Sequence, residues 1–173
     1  MRVSTFRRIV MKDTLDLLEQ FLGFLEESGI SYCAIGGQAV NAYVEPLVSL
    51  DLDVVVAVES TVELSRELER LFQVAVFPHS LIVSLSGSDL RIQVQTDARY
   101  LPFIERARPM EVLGRSMSVA DLADVLQGKI WAALDPERRG SKRQKDLADI
   151  ARIIETYPAY RERVPPEVLS RLL

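Results

Sequence analysis

Two short stretches decide the fold of this chain: Gly36-Gly37-Gln38-Ala39, and the run Asp51-Leu52-Asp53 that opens the apolar segment 54–58. The glycine pair leads into a helix, and alternation along a strand points both aspartates to the same face of a sheet. Two adjacent carboxylates repel each other unless a cation lies between them, and a divalent metal ion is the usual partner. The sequence therefore predicts a metal site at the start of a strand, beside a glycine turn.

The composition indicates a globular protein of one domain, or of one domain with a helical extension. The chain has 173 residues, of which 48% are hydrophobic, and this is enough to form a core. Its single cysteine, Cys33, has no internal disulfide partner and is expected to be buried as a small apolar residue. No apolar run has the length of a membrane span, and no apolar segment follows the charged N-terminus. The sequence therefore predicts a cytoplasmic protein with no membrane role.

The charge pattern limits the partners that the chain can bind. A net charge of −4 disfavours general nucleic-acid affinity, because binding to a phosphate backbone needs a positive surface. The only histidine, His79, follows Pro78 in a turn, which disfavours histidine catalysis and zinc binding. A basic cluster can be either a solvated loop or a grip on triphosphate or RNA. Its members are Arg138, Arg139, Lys142, Arg143 and Lys145.

Hydrophobic periodicity predicts a mixed β-sheet flanked by helices, with a C-terminal helical extension. Strands are expected over residues 31–35, 52–58, 73–77, 80–85 and 89–95, with an edge strand or hairpin over 110–119. Helices are expected over residues 12–29, 38–43, 100–106, 118–134 and 143–157. Two further helices are expected to begin after a cap at Ser60 and after Pro166. The predicted fold class is α/β or α+β, with a core over residues 1–117 and a helical region packed on it over residues 118–173.

The glycine pair and the aspartate pair each allow two interpretations. Without Cβ atoms, Gly36 and Gly37 let the backbone approach a phosphate, but glycine in a strand-to-helix turn can also act by packing alone. Aspartate disfavours strands, so Asp51 and Asp53 at the start of an apolar strand need a reason. The alternative to metal binding is a polar strand entrance in which Asp51 caps the preceding loop.

A lysine in an apolar stripe gives an independent indication. Lys129 lies within a helical stripe of apolar residues, so it must extend to solvent, pair with a carboxylate or face a cleft that holds an anion. On the next predicted helix, Asp146 flanks the apolar face and Asp149 is expected to point towards solvent. Ser118 and Asp121 are expected to cap the helix that carries Lys129.

Taken together, these motifs resemble the nucleotidyltransferase superfamily that includes DNA polymerase beta. The order of the motifs is similar, more narrowly, to bacterial abortive-infection nucleotidyltransferases, which are toxins of type IV toxin–antitoxin systems, and to their relatives. The resemblance extends over residues 31–154. The matching residues are Gly36, Gly37, Asp51, Asp53, Lys129 and the run Lys145-Asp146-Leu147-Ala148-Asp149.

The resemblance implies a Mg²⁺-dependent or Mn²⁺-dependent enzyme that transfers a nucleoside monophosphate from an NTP to an acceptor hydroxyl. Asp51 and Asp53 would hold the metal ion, while Gly36 and Gly37 would seat the β- and γ-phosphates.

Further roles and partners follow from the same resemblance. Ser49 fits the Ser or Thr that the family places two residues before the first Asp, as part of the nucleotide site. Lys129 would contact the phosphates, and Asp146 would orient or deprotonate the acceptor, which is tRNA, a protein side chain or a small molecule. A cognate antitoxin would be a further partner.

Two residues depart from the family pattern. Leu47 occupies a position where arginine is common, and Gln93 stands where a third carboxylate is expected on a later strand. Glutamine carries no charge and cannot act as a base. The rival interpretation is therefore a degenerate domain that binds a nucleotide or a partner protein, as an antitoxin or regulator. A plain interaction module without a ligand is the third possibility.

Overall fold

The computed structural model describes residues 16–172, which form a seven-stranded mixed sheet with helices packed against it. In space the strands follow the order β3-β4-β5-β2-β1-β7-β6. The strands are β1 (Tyr32–Ile35), β2 (Asp51–Val56), β3 (Gln73–Phe77), β4 (Ser80–Ser84), β5 (Arg91–Gln95), β6 (Arg108–Val112) and β7 (Arg115–Val119). β2 lies between β1 and β5, and it pairs antiparallel with β1 and parallel with β5.

Seven α-helical segments accompany the sheet in the described part of the chain. The first, α1, covers residues 16–27. The others are α2 (Gly36–Tyr43), α3 (Thr61–Glu69), α4 (Pro102–Arg106), α5 (Leu122–Leu134), α6 (Gly140–Thr156) and α7 (Pro166–Leu169). Two 3₁₀ turns, Ala98–Tyr100 and Pro158–Arg163, precede α4 and α7 respectively.

The sheet separates an apolar layer from a polar one. Leu52 and Val54 on β2 have no exposed surface, and they belong to one continuous core with the apolar stripe of α1 and with Leu64 and Leu68 of α3. Alternation puts Asp51 and Asp53 on the opposite face, where α2, α5 and α6 contact one another. The central strand is therefore apolar towards one layer and acidic towards the other.

The structure confirms the predicted fold class and most of the predicted elements. Ser60 caps α3 as expected, since its hydroxyl accepts a hydrogen bond from the Glu63 backbone N–H at 3.2 Å. The predicted cap at Ser118 is wrong, because β7 extends through that residue and the cap of α5 is Asp121. The predicted start of the first helix at residue 12 lies outside the described residues.

Across residues 16–172, none of the helices combines the length and the apolar character needed to cross a membrane.

Candidate active site

The sheet wall of the site consists of the polar face of β2 and β5, namely Asp51, Asp53, Gln93 and Gln95. The register between β2 and β5 sets the geometry of this wall, because Asp53 pairs directly with Gln93 on the neighbouring parallel strand. Paired residues of neighbouring strands point to the same face, so the two side chains are adjacent. The expectation that Gln93 occupies the position beside the aspartate pair is confirmed.

Gly36 is glycine for two separable reasons. Its φ of +68° lies in the left-handed region that side chains disfavour. A Cβ at this position would also collide with the Asp53 carboxylate and would approach the Asp53 Cβ to 3.1 Å. The backbone at the start of α2 therefore lies directly against the Asp53 side chain. No side chain among residues 16–172 caps this helix start, so its first N–H groups remain available to a ligand.

The helix wall faces the sheet wall across a cavity of about 380 Å³. The start of α2 and the loop before β2 complete its lining with Gly36, Gly37, Leu47, Val48 and Ser49. The charged residues of the helix wall are Asp124 and Lys129 on α5, Arg138 on the connection, and Lys142, Lys145, Asp146, Asp149 and Arg152 on α6. The structure therefore brings every sequence-predicted site residue to one cavity.

Asp53 is the electrostatically unusual group of the cavity. Burial raises its pKa to about 6, and the negative charge of Asp51 acts in the same direction. Lys129, Arg138 and Lys142 oppose this rise in the pKa but do not cancel it. Among the described residues, Asp53 makes no ion pair, so its charge is available to a cation from outside.

Asp51 is held more loosely than a structural carboxylate would be. Arg91 Nε donates a hydrogen bond to Asp51 Oδ1 at 3.2 Å, and both side chains are more than half exposed. An exposed pair of this kind contributes only about 0–1 kcal/mol to stability. A metal ion could therefore displace Arg91 from Asp51 at little cost.

Lys129 lies between two aspartates of α6. Its Nζ is 3.0 Å from Asp146 Oδ1 and 2.9 Å from Asp149 Oδ2, and the residue is only 9% exposed. Burial acts to lower the pKa of Lys129, but the two aspartates outweigh burial and the pKa is raised. Of the three alternatives left open by the sequence, pairing with a carboxylate describes the contacts of Lys129, although the residue also lines the cavity.

Asp146 is the most deeply buried carboxylate of the cavity, with 1% of its surface exposed. Besides Lys129, it accepts two hydrogen bonds from Arg138, from Nε at 2.9 Å and from Nη2 at 3.2 Å. The expectation that Asp149 points towards solvent is wrong, because Lys129 and Arg152 hold its carboxylate in the cavity wall. Asp146 and Asp149 thus both have cation partners.

Sequence reasoning missed a clamp on the loop that precedes β2. Arg152 donates to Asp149 Oδ1 at 2.8 Å, to Asn41 Oδ1 at 3.0 Å and to the Glu45 carbonyl at 2.6 Å. Asn41 also donates to the Leu47 carbonyl and accepts from the Leu47 N–H, at 2.7 and 3.0 Å. The one available signal was the spacing of Arg152 three residues after Asp149, which permits a pair on one helix face.

A second missed contact fixes Ser49. Gln38 Nε2 donates to the Ser49 carbonyl at 2.8 Å, and the Ser49 hydroxyl accepts weakly from the Asp51 N–H at 3.4 Å. The N-terminal half of α2 therefore positions both the glycine turn and the residues that lead into the aspartate pair.

No protein-family model matches the sequence, and no curated protein matches it. Solved structures do match the fold. An antigenic nucleotidyltransferase-like protein from Paracoccidioides brasiliensis superposes with a TM-score of 0.59 at 17% identity, covering 83% of this chain and 76% of that one. The antibiotic-resistance factor ANT(2″)-Ia gives 0.57 at 15% identity, with 87% and 94% covered. The lincosamide antibiotic adenylyltransferase LnuA, solved with lincomycin bound, gives 0.53 at 13% identity, with 80% and 96% covered.

The chain has the nucleotidyltransferase fold. At these identities the likeness concerns the fold, so the chemistry of this chain depends on its own residues.

The metal-binding capacity of this nucleotidyltransferase fold is partial. Within residues 16–172, no three His, Cys, Asp or Glu side chains come close enough together to hold a metal ion. Asp51 and Asp53 offer hard oxygen donors of the kind that Mg²⁺ prefers, and Gln93 adds only a neutral amide. A divalent ion at this wall would need further ligands from a substrate.

Proposed function

We propose that the chain transfers a nucleoside monophosphate from an NTP to an acceptor hydroxyl, with Mg²⁺ or Mn²⁺ held by Asp51 and Asp53. One observation carries the proposal: Asp53 has no ion-pair partner among the described residues and lies against the uncapped start of α2, opposite a cationic helix wall. A metal–triphosphate complex matches this arrangement, because it presents a cation to the sheet and anionic oxygens to the helices.

The donor set fits a metal ion that arrives with its nucleotide. Asp51 and Asp53 are two oxygen ligands on one face, and the absent Cβ of Gly36 leaves room beside the Asp53 carboxylate. When bound, the ion would neutralise the triphosphate and polarise the α-phosphate. The N–H groups at the start of α2, at Gly36 and Gly37, would receive phosphate oxygens, and Ser49 would border the nucleotide.

In the proposed reaction the acceptor oxygen forms a bond to the α-phosphorus. The bond from the α-phosphorus to the oxygen that bridges to the β-phosphorus breaks, and pyrophosphate leaves. The hydroxyl proton passes to a base. The resemblance assigns that role to Asp146, but its oxygens already accept from Lys129 and Arg138. To act as the base, Asp146 would have to exchange one of these partners, whereas its existing contacts suit it to positioning Lys129.

A second candidate function is nucleotide binding without transfer. It is favoured by Gln93 beside Asp53, and by the cation partners that hold Asp124, Asp146 and Asp149 in the cavity wall. On this view the chain would sense or sequester a nucleotide, as an antitoxin or regulator would.

Two measurements distinguish these functions. The melting temperature is measured with each of the four NTPs, with and without Mg²⁺, since a ligand that binds only the folded state must raise it. Pyrophosphate release is then followed with bulk tRNA, with lincomycin and with the protein alone, because this readout does not depend on the acceptor. Metal-dependent stabilisation with pyrophosphate release supports transfer, and stabilisation without release supports the binder. If no NTP stabilises the protein, both functions are wrong.

We also propose a toxin–antitoxin setting, which rests on the order of the motifs from Gly36 to Asp149. Induced expression of the wild type in a bacterial host should arrest growth, and the Asp53→Asn variant should not. Equal growth of the two strains would argue against a toxin and leave a cognate antitoxin without a role.

A further inference from the structure

The charges that line the cavity fall into matched and unmatched groups. Asp51 pairs with Arg91, Asp124 with Arg106, and Asp149 with Arg152. Lys129 and Arg138 share Asp146, and Lys129 also contacts Asp149. Among the described residues, the charged groups of the lining that remain without an ion pair are Asp53, Lys142 and Lys145.

Lys129 is poorly suited to hold a phosphate. It is buried between Asp146 and Asp149, and moving its ammonium group towards a ligand would weaken its contacts with two carboxylates. Removing the partner of a buried charge is strongly unfavourable. Arg138 is committed in the same way, because both of its hydrogen bonds go to Asp146.

The five residues of the basic cluster differ in their contacts and in whether they line the cavity. Arg143 donates to the carbonyls of Asp135 and Arg138, and Arg139 is exposed and lies outside the cavity lining. Lys142 and Lys145 both line the cavity, and their spacing on α6 puts them on one side of the helix. Both residues are exposed, and neither makes an ion pair with another described residue, so neither must break one to meet a ligand.

We propose that Lys142 and Lys145, rather than Lys129, bind the β- and γ-phosphates of the nucleotide. The inference rests on the proposed function, and it changes which cations hold the substrate. Lysine suits this role as a flexible point charge that bonds to phosphate oxygens without a fixed fork geometry. Lys129 then acts as a positioning residue that fixes α5 against α6.

This assignment predicts that the two lysines distinguish nucleotides by their number of phosphates. A monophosphate would still contact the sheet wall and the start of α2, but it would not extend to α6. Removal of both lysines should therefore weaken NTP binding and leave NMP binding unchanged. A general loss of positive charge, by contrast, would weaken both.

The test uses isothermal titration of the whole chain with Mg²⁺ and the NTP that stabilises it most, and with the matching NMP. The Lys142→Met/Lys145→Met double variant should bind the NTP about tenfold to hundredfold more weakly, as expected for loss of charge-assisted hydrogen bonds. Its NMP affinity should equal that of the wild type. Arg139→Met is the matched control, because it removes an exposed cation near the same helix start, and it should bind both nucleotides normally.

Every other outcome contradicts the lysine assignment, the proposed function, or both. If the double variant binds the NTP like the wild type, or loses NTP and NMP affinity equally, the lysine assignment is wrong and the proposed function stands. If the wild type binds no NTP, the proposed function fails and the assignment fails with it.

Discussion

Within the part of the chain that the structure describes, Asp53 on the sheet wall of the cavity has no ion pair, and Asp51 shares one exposed contact with Arg91. On the helix wall, by contrast, the single residue Lys129 contacts both Asp146 and Asp149. The same types of side chain therefore serve different purposes a short distance apart. Charges that satisfy one another hold α5 against α6, and they are costly to disturb. Charges that are left unsatisfied raise the energy of the empty site and leave it ready for a cation and an anion.

The largest effect on stability is expected for Lys129→Met, which removes the central cation of the helix wall. The change leaves Asp146 and Asp149 with one arginine each, so the free energy of unfolding should fall by about 3 kcal/mol. Lys142 lines the same cavity and has no ion pair with any described residue, so the Lys142→Met variant should stay within about 0.5 kcal/mol of the wild type. Urea unfolding of both variants measures the difference. Equal stability of the two variants would show that the helix wall does not depend on its ion pairs.

Gly36→Ala tests the close approach of the α2 start to the sheet wall. The methyl group adds strain at a positive φ and collides with Asp53, so stability should fall by about 2 kcal/mol. The control is Gly23→Ala on α1, where a Cβ would meet no described atom within 4 Å. Helix propensity favours alanine there, and thermal unfolding should show a neutral or stabilising effect. A Gly36→Ala variant as stable as the wild type would contradict the observed packing.

Asp53→Asn tests the cost of the unsatisfied charge through its pH dependence. Because the pKa of Asp53 is about 6 when folded and 3.8 ordinarily, folding favours the protonated form. This contribution to stability is complete below the ordinary pKa and is lost as the pH rises through 6. Full burial would make it roughly 3 kcal/mol, and solvent in the cavity reduces it to about 1 kcal/mol.

The measurement compares wild type and variant in EDTA at pH 4 and pH 8. The stability of the asparagine variant should rise relative to the wild type by about 1 kcal/mol between these two pH values. In a separate measurement without EDTA, the melting temperature of the variant should not respond to Mg²⁺. A difference in stability that does not change with pH would mean that ionised Asp53 is compensated by some other group.

The smallest effect on stability is expected for Gln93→Asp, which adds a third carboxylate to the sheet wall. A carboxylate beside Asp53 adds repulsion when metal is absent, so stability in EDTA should fall by less than about 1 kcal/mol. Mn²⁺ should bind more tightly, because three carboxylates would then share one face. The readout is Mn²⁺ titration by electron paramagnetic resonance, with Gln95→Asp as the neighbouring control. Unchanged affinity in Gln93→Asp would exclude a metal position between these two strands.

The part of the site that could be predicted from sequence is the part set by strand periodicity. Asp51, Asp53 and Gln93 share a face because side chains alternate along each strand, and a local pattern contains that information. The helix wall depends on how α5 packs against α6, and a helical pattern identifies an apolar face without naming its neighbour. Asp149 was misplaced for this reason, since a polar flank of α6 is buried against Lys129 and Arg152.

The cap of α5 and the loop clamp show two further limits. Ser118 has the chemistry of a capping residue, but pairing with β6 draws it into β7, so the longer-range contact overrides the local preference. Arg152 contacts residues more than a hundred positions earlier in the chain. Nothing in the sequence around Glu45 indicates such a partner, because its carbonyl group is common to every residue.

Because its two sides lie far apart in the sequence, the clamp made by Arg152 can form only late in synthesis. Its partner Glu45 lies 107 residues earlier, and Tyr157 donates to the Tyr43 carbonyl across 114 residues. At about 5–20 residues per second, roughly 5–20 seconds of translation separate the two sides of the clamp. During that interval the aspartate pair is already made, but α6 has not left the ribosome. A nascent chain therefore carries the acidic wall before it has the cations that complete the cavity.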